Sequence, residues 1–351
     1  MLSETIAEAR RQVEICNACR YCEGYCAVFP AMMRERSFTD GDITQLANLC
    51  HNCRGCYYAC QYVPPHEFDL NLPAALAEVR RETWEQFVPF AAVSRLFQRR
   101  GNAIVAAIVL GVAAMILAIG ALPGGGAGFY AYLSHVAMVA IFLPAFVLPL
   151  VFLAIGVLRY WRATGGGVPR LTAMNKALSD AARMRNLDGG QGQGCNFEEG
   201  DRFSNARRHA HHAVMYGFFL CFAATCSATV LHYGFGLEAP YRFLSLPKLL
   251  GVSGGVLMVV GTLHLSYLAA KSDPGLADRA AASGAAWFRW LLFTIAISGL
   301  ALYAATGTGA VKILLAFHLG SVLVFFLLIP FTKMAHAPFR LAALLRDASA
   351  R

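Results

Sequence analysis

Charge is what this sequence has least of. Asp, Glu, Lys and Arg make up only 15% of its 351 residues, against 57% hydrophobic residues. So little charge over so much apolar surface excludes an ordinary soluble globule and points to a polytopic membrane protein. Nucleotide-binding signatures are missing too. There is no P-loop and no Ser/His/Asp arrangement. The Gly-rich stretch Gly189-Gly190-Gln191-Gly192-Gln193-Gly194 neither matches G-x-G-x-x-G nor sits between a strand and a helix. The chain is therefore expected to hold no flavin or nicotinamide of its own. Cys-x2-Cys-His is absent, which argues against covalently attached haem. Met1 to Ile15 is polar and lacks the apolar core of a secretory signal, so disulfides are not expected. The net charge of +9 comes without a basic–aromatic stripe, so no nucleic-acid partner is expected.

What is present begins at Cys16. Eight of the 11 cysteines fall in two blocks of one form. Cys16, Cys19, Cys22 and Cys26 make the first, and Cys50, Cys53, Cys56 and Cys60 the second. Each repeats the C-x2-C-x2-C-x3-C run of bacterial ferredoxins, with Pro30 and Pro64 four residues past the last cysteine rather than next to it. Three thiolates on a tight loop can cap three corners of an iron–sulfur cubane, and a distant thiolate takes the fourth. In two-cluster ferredoxins that fourth ligand comes from the other block. The spacing thus predicts two [4Fe-4S] clusters. Cys16, Cys19, Cys22 and Cys60 are expected to hold one, and Cys50, Cys53, Cys56 and Cys26 the other. Structural zinc fits less well, because a tetrahedral ion favours separated Cys-x2-Cys pairs.

Residues 1–72 read as the soluble cluster domain. Residues 73–101 read as an amphipathic linker helix at the membrane surface, punctuated by Arg80, Arg81, Arg95, Arg99 and Arg100. A transmembrane domain is expected over 102–336, with six apolar stretches near 102–122, 129–158, 213–235, 246–270, 287–306 and 312–332, each meeting the ~20-residue requirement. Pro144 and Pro149 predict a kink in the second. A polar loop covers 159–211, and a basic tail covers 337–351. Six crossings put both termini on one side. The loop from Arg159 to Arg208 is rich in Lys and Arg, whereas the opposite loops offer only Arg242, Lys248 and Lys312. The positive-inside rule then places cluster domain, loop and tail in the cytoplasm.

Histidines in lipid are costly and mark function. His135, His232 and His318 share an outer level; His211, His212, His336 and His264 share an inner one. Haem b between membrane helices takes a neutral imidazole from each of two helices, so two levels match one or two haems. His318 and His336 are 18 residues apart, a whole number of turns at about 100° per residue, which would put them on one face of a helix. Each could instead hydrogen-bond a neighbouring helix. Cys221 and Cys226 read as packing residues. Cys195, at the end of the Gly-rich stretch, reads as part of a flexible loop, with partner docking as the alternative.

Those residues carry a resemblance. The doubled cysteine block and six spans, with Gly194-Cys195-Asn196, Phe203-Ser204-Asn205-Ala206-Arg207-Arg208, His211-His212, the run Tyr216 to Thr225 and His318-Leu319-Gly320, resemble the tricarballylate-utilisation protein B (CitB-type) family. The resemblance covers nearly the whole chain. It implies a mainly α protein in which an N-terminal ferredoxin-like, di-[4Fe-4S] module is fused to a six-helix transmembrane bundle. That bundle is similar to the gamma subunit of respiratory nitrate reductase, a haem b quinone-reactive protein. It further implies a soluble FAD-dependent dehydrogenase as partner, oxidising tricarballylate to cis-aconitate, with electrons passing through the clusters and haem to the membrane quinone pool. The same parts could run backwards, as in quinol-oxidising or heterodisulfide-reductase-like subunits. An iron–sulfur sensor or transporter, with histidines on a proton path, is a further alternative.

Overall fold

The structure, a computed structural model, describes every residue except 1, 27, 123, 126, 127, 199–201, 240, 243 and 351. It is helical, and among the described residues no strand forms beyond one isolated antiparallel bridge.

Helices α1 (Leu2–Cys19), α2 (Val28–Met32), α3 (Asp40–Leu49) and α4 (Gly55–Tyr58) build the cysteine module. Thr39 and Asp42 form a reciprocal capping box that starts α3. Val13, Ile43, Leu46 and Leu49 are sealed in the module's core. So are Leu76 and Val79 of α5 (Leu72–Phe87), which starts at the Asn71 cap with Pro73 in its first turn.

The expected single linker helix is thus two helices with different partners. The first, α5, packs into the module, and its Arg81 donates to Glu85 at 3.2 Å and to Asp278, just before the helix Arg279–Ala304, at 2.6 Å. The second, α6 (Ala91–Arg99), buries two of its polar residues and leaves several apolar ones, with Arg95 and Arg99, facing outward. Ser94 and Gln98 are buried, while Phe90, just before the helix, and Val93 and Leu96 are exposed. That inversion suits a helix lying against lipid.

Six helices are long and apolar enough to cross a membrane. They are α7 (Gly101–Ala121), α8 (His135–Ala163), α10 (Ala206–Phe235), α11 (Leu246–Lys271), α12 (Arg279–Ala304) and α13 (Val311–Leu328), the last continued by a 3-10 turn to Phe331; α9 (Leu171–Ala182) lies in the loop before α10. Helix α8 runs unbroken through Pro144 and Pro149. Small residues let backbones close on one another, as membrane helix pairs require. A Cβ on Gly254 would stand 2.7 Å from the Gly217 carbonyl oxygen, and one on Gly320 would stand 2.6 Å from Val112 Cα. Outward-facing residues such as Leu110, Leu117 and Val136 are exposed apolar side chains, the reverse of a soluble surface.

The tail is not a loose basic extension. Pro330 ends regular helix at α13, Thr332 is extended, and a new helix, α14 (His336–Ser349), folds back against the cysteine module. Phe339, Ala342, Ala343 and Leu344 are buried there. Gln45 of α3 joins three elements: its amide donates to the Ala343 carbonyl at 2.7 Å, and it accepts from the Tyr160 hydroxyl of α8. Arg346 donates to Asp42 at 2.9 Å, and Arg34 pairs with Asp347.

Candidate metal centres

The two cysteine blocks exchange their last members. Cys16, Cys19, Cys22 and Cys60 line one cavity of about 210 Å³ together with Tyr57, Tyr62 and Val63, and Cys56 lines both this cavity and the second. Cys26, Cys50, Cys53 and Cys56 line the second. The local fold explains the wrapping. Cys16 and Cys19 lie in the last turns of α1, and Arg20 then takes φ 58° to reverse the chain towards Cys22. Cys50 caps α3, and Asn52 (φ 52°) and Arg54 (φ 68°) coil the loop so that Cys53 and Cys56 face inward. Backbone N–H groups already point at sulfur: Tyr62 donates to Cys60 and Asn52 to Cys50, each at 3.3 Å.

The electrostatics ask for a cation. Burial, then the neighbouring charges of Cys60, Cys22 and Cys19, push the Cys16 thiol up to about 12. Burial and the Cys60 and Cys19 charges push Cys22 to about 11. Four thiolates this close are stable only with positive charge between them. Among the described residues no three His, Cys, Asp or Glu side chains converge on a single ion. The cysteines line cavities of about 210 Å³ and about 20 Å³, and each set of four thiolates matches the donor set of an iron–sulfur cluster.

The second cavity draws on the rest of the molecule. Cys195, expected in a flexible loop, is 1% exposed and packs against Cys53, Met184 and Leu187. Its backbone bridges Ser204 in both directions, at 2.8 and 2.9 Å, and the Asn196 N–H donates to the Cys53 carbonyl at 2.9 Å. Two glycines permit this. Gly194 has φ +97°, and a Cβ there would lie 2.2 Å from the Ser204 oxygen; a Cβ on Gly190 would collide with the Gly24 carbonyl of the first block. The Gly-rich stretch is a fitted cover, and its glycines were the available signal. Hydrogen bonds from Cys195 and then Cys26 hold the Cys53 thiol well below its usual value.

Cations crowd the same side. Arg340 donates to the Cys50 carbonyl at 2.9 Å and contacts His51 Nδ1; Arg80 donates to the Cys50 carbonyl at 2.5 Å, and Arg207 to the Asn52 carbonyl at 2.7 Å. Burial, followed by the Arg80 charge, lowers Arg340 to about 9. Loss of water, then the charges of Arg289, Arg80 and Arg207, brings Lys333 to about 7. Burial and the Arg340 and Arg207 charges keep His51 neutral, well below its ordinary value. A nest of cations suits anionic cofactors.

Of the seven candidate histidines, four form two pairs. His135 and His232 stand with ring centroids 4.2 Å apart, and Tyr233 hydroxyl and His135 Nε2 share a hydrogen bond of 2.8 Å. His211 and His336 stand 5.9 Å apart. Helix α10 carries one member of each pair, so the pairs are separated by about 32 Å along it, close to the thickness of a hydrocarbon core. Nδ1 of His135, His211 and His232 is buried without a partner. The others stand elsewhere: His318 bonds Ser298 at 3.0 Å, His212 faces Tyr216, and His264 is exposed beside Tyr267. His336 starts α14 rather than extending α13, so the shared face expected for His318 and His336 does not exist.

A helical module with two cysteine-lined cavities, clamped onto six membrane-crossing helices, defines a membrane-bound iron–sulfur protein. The chain belongs to the CitB family. Residues 95–351 match that family as Citrate utilization protein B, and residues 9–86 match its Fer4-like domain. A curated relative, "Citrate utilization protein B" from Escherichia coli, is 42% identical over 352 residues, covering 99% of this chain and 93% of the relative. No solved structure matches.

Proposed function

We propose that this chain carries electrons from the reduced FAD of a soluble partner dehydrogenase, through two [4Fe-4S] clusters and haem b, to membrane quinone. When bound, clusters and haem each accept and release one electron at a time. The chain's residues hold and insulate them. Cys16, Cys19, Cys22 and Cys60 are the ligands of one cluster, and Cys26, Cys50, Cys53 and Cys56 those of the other. The haem ligands come from the seven candidate histidines, among which the fold brings His211 near His336 and His135 near His232. The domain limits proposed are 1–72, 73–101, 102–336 and 337–351, with α5 serving the first. The excess of Lys and Arg on the module's side of the bundle supports a cytoplasmic module in a bacterial inner membrane. The relative's printed role in citrate utilisation supports a tricarboxylate-type substrate, tricarballylate, for the partner.

One observation carries the reading: the cavity lined by Cys26, Cys50, Cys53 and Cys56 sits against the α14 arginine and the cations that surround His211 and His336. A module so placed hands electrons inward. The test is a reduced-minus-oxidised visible spectrum of the purified full chain. Sharp haem b bands that reoxidise on adding a quinone are expected, weakened in His211→Ala and His232→Ala but not in His264→Ala. An iron-replete protein lacking those bands would remove the haem and quinone steps.

A further inference from the structure

The segment Met184 to Arg208 contributes none of the eight cysteines, yet it covers the second cavity with hydrogen-bond donors. Asn186 lines that cavity beside Cys26, Cys50, Cys53 and Cys56. It is 9% exposed, and its Nδ2 has no partner. Arg54 lines the same wall, 1% exposed, with its Nε likewise unpartnered. Two buried donors without acceptors at one cavity ask for an electron-rich occupant. Cys195 approaches from the loop side, packed on Cys53, with its thiol donating to the Leu187 carbonyl oxygen at 3.3 Å. The first cavity has no such cover: every residue lining it lies between Cys16 and Pro73.

We infer that this loop sets the reduction potential of the second cluster, with the Asn186 amide donating to sulfur there and the Cys195 thiol turning its proton from the Leu187 carbonyl to the Cys53 sulfur when the cluster is bound. The inference rests on the reading of that cavity as a cluster site. A cluster gains one negative charge when it takes an electron. Donors aimed at sulfur stabilise that reduced form more than the oxidised one and raise the potential. The uncovered first cluster then sits lower, and a single electron moves downhill from the first to the second, towards the bundle.

The experiment is an EPR-monitored redox titration of the purified full chain. Cys26→Ser identifies the signal of the second cluster. Asn186→Ala and Cys195→Ala should each weaken reduction of that cluster about tenfold, or about 59 mV for one electron, and leave the first unmoved. Cys195→Ser keeps an O–H donor and should restore most of the loss. Midpoints unchanged at full iron content would overturn the inference, as would equal shifts in both clusters. So would a Cys195→Ala protein that loses the second cluster's iron, since Cys195 would then be a ligand. An unaltered chain with no cluster signal at all would instead defeat the underlying reading.

Discussion

The two cysteine blocks have one spacing and two environments. The first cavity is made by the module alone and keeps Cys19 exposed at its rim. The second is closed from three directions, by α5 through Arg80, by the 184–208 loop through Cys195, and by α14 through Arg340. A repeated motif fixes which atoms hold a metal. What surrounds it fixes how that metal behaves, and here the surroundings come from the other end of the chain.

Removing ligands should break the contrast most strongly. Cys19→Ser and Cys53→Ser are each expected to cost about half the bound iron, because each serves one of two four-iron sites. Only Cys53→Ser should also lower the melting temperature markedly, since the second site ties loop and α14 to the module. Iron per protein and thermal unfolding measure both; equal melting temperatures would show the sites to be alike in coupling. Next comes Arg340→Ala. It strips hydrogen bonds from the Cys50 and Leu49 carbonyls and is expected to destabilise the docked module by about 2 kcal/mol, readable by chemical denaturation. Arg20, whose Nε reaches only the adjacent Asn17 carbonyl near the first site, should tolerate alanine within about 0.5 kcal/mol.

A smaller effect is expected from Gly194→Ala. Its positive φ and the Ser204 oxygen should cost about 1–3 kcal/mol of local loop stability. Faster proteolysis within 184–208, with faster oxidative loss of the second cluster only, would express it. Smallest is the acid response of the Arg346–Asp42 contact. Desolvation raises the Asp42 carboxyl, but hydrogen bonds from Thr39 and Arg346 outweigh it and hold the group below its usual value. Its contribution, under about 1 kcal/mol, is present above the unfolded-state value near 4 and is lost as pH falls through the lower folded one. Hydrogen exchange in α14, corrected for its intrinsic rate, should therefore accelerate below about pH 4 in the native chain and not in Asp42→Asn.

Much of this was legible in the residues, for physical reasons. Ligand spacing and apolar length are local signals, so the doubled cysteine block and the six spans could be read directly. The histidines could be sorted by depth because a helix converts residue number to height. Which of them meet could not be read, since that depends on how helices pack. His318 had the depth of His135 and His232 but turns to Ser298. The face shared with His336 assumed one helix across Pro330, where the chain breaks. The loop cover and α14 escaped for another reason. Arg340 lies 290 residues from Cys50, and nothing in a polar, glycine-rich stretch says what it will cover. Gly190 and Gly194 could have signalled a close backbone approach rather than looseness.

The clamp made by α14 also sets an order of assembly. Arg346 and Asp42 are 304 residues apart, so at about 5–20 residues per second the ribosome needs roughly 15 to 60 s to make the second partner after the first. Throughout that interval all six spans are being laid into the bilayer, and the cysteine module stands without Arg340 or the Gln45–Ala343 tie. The Arg340 side of its second cavity is the last to be supplied, when the final helix comes back to it.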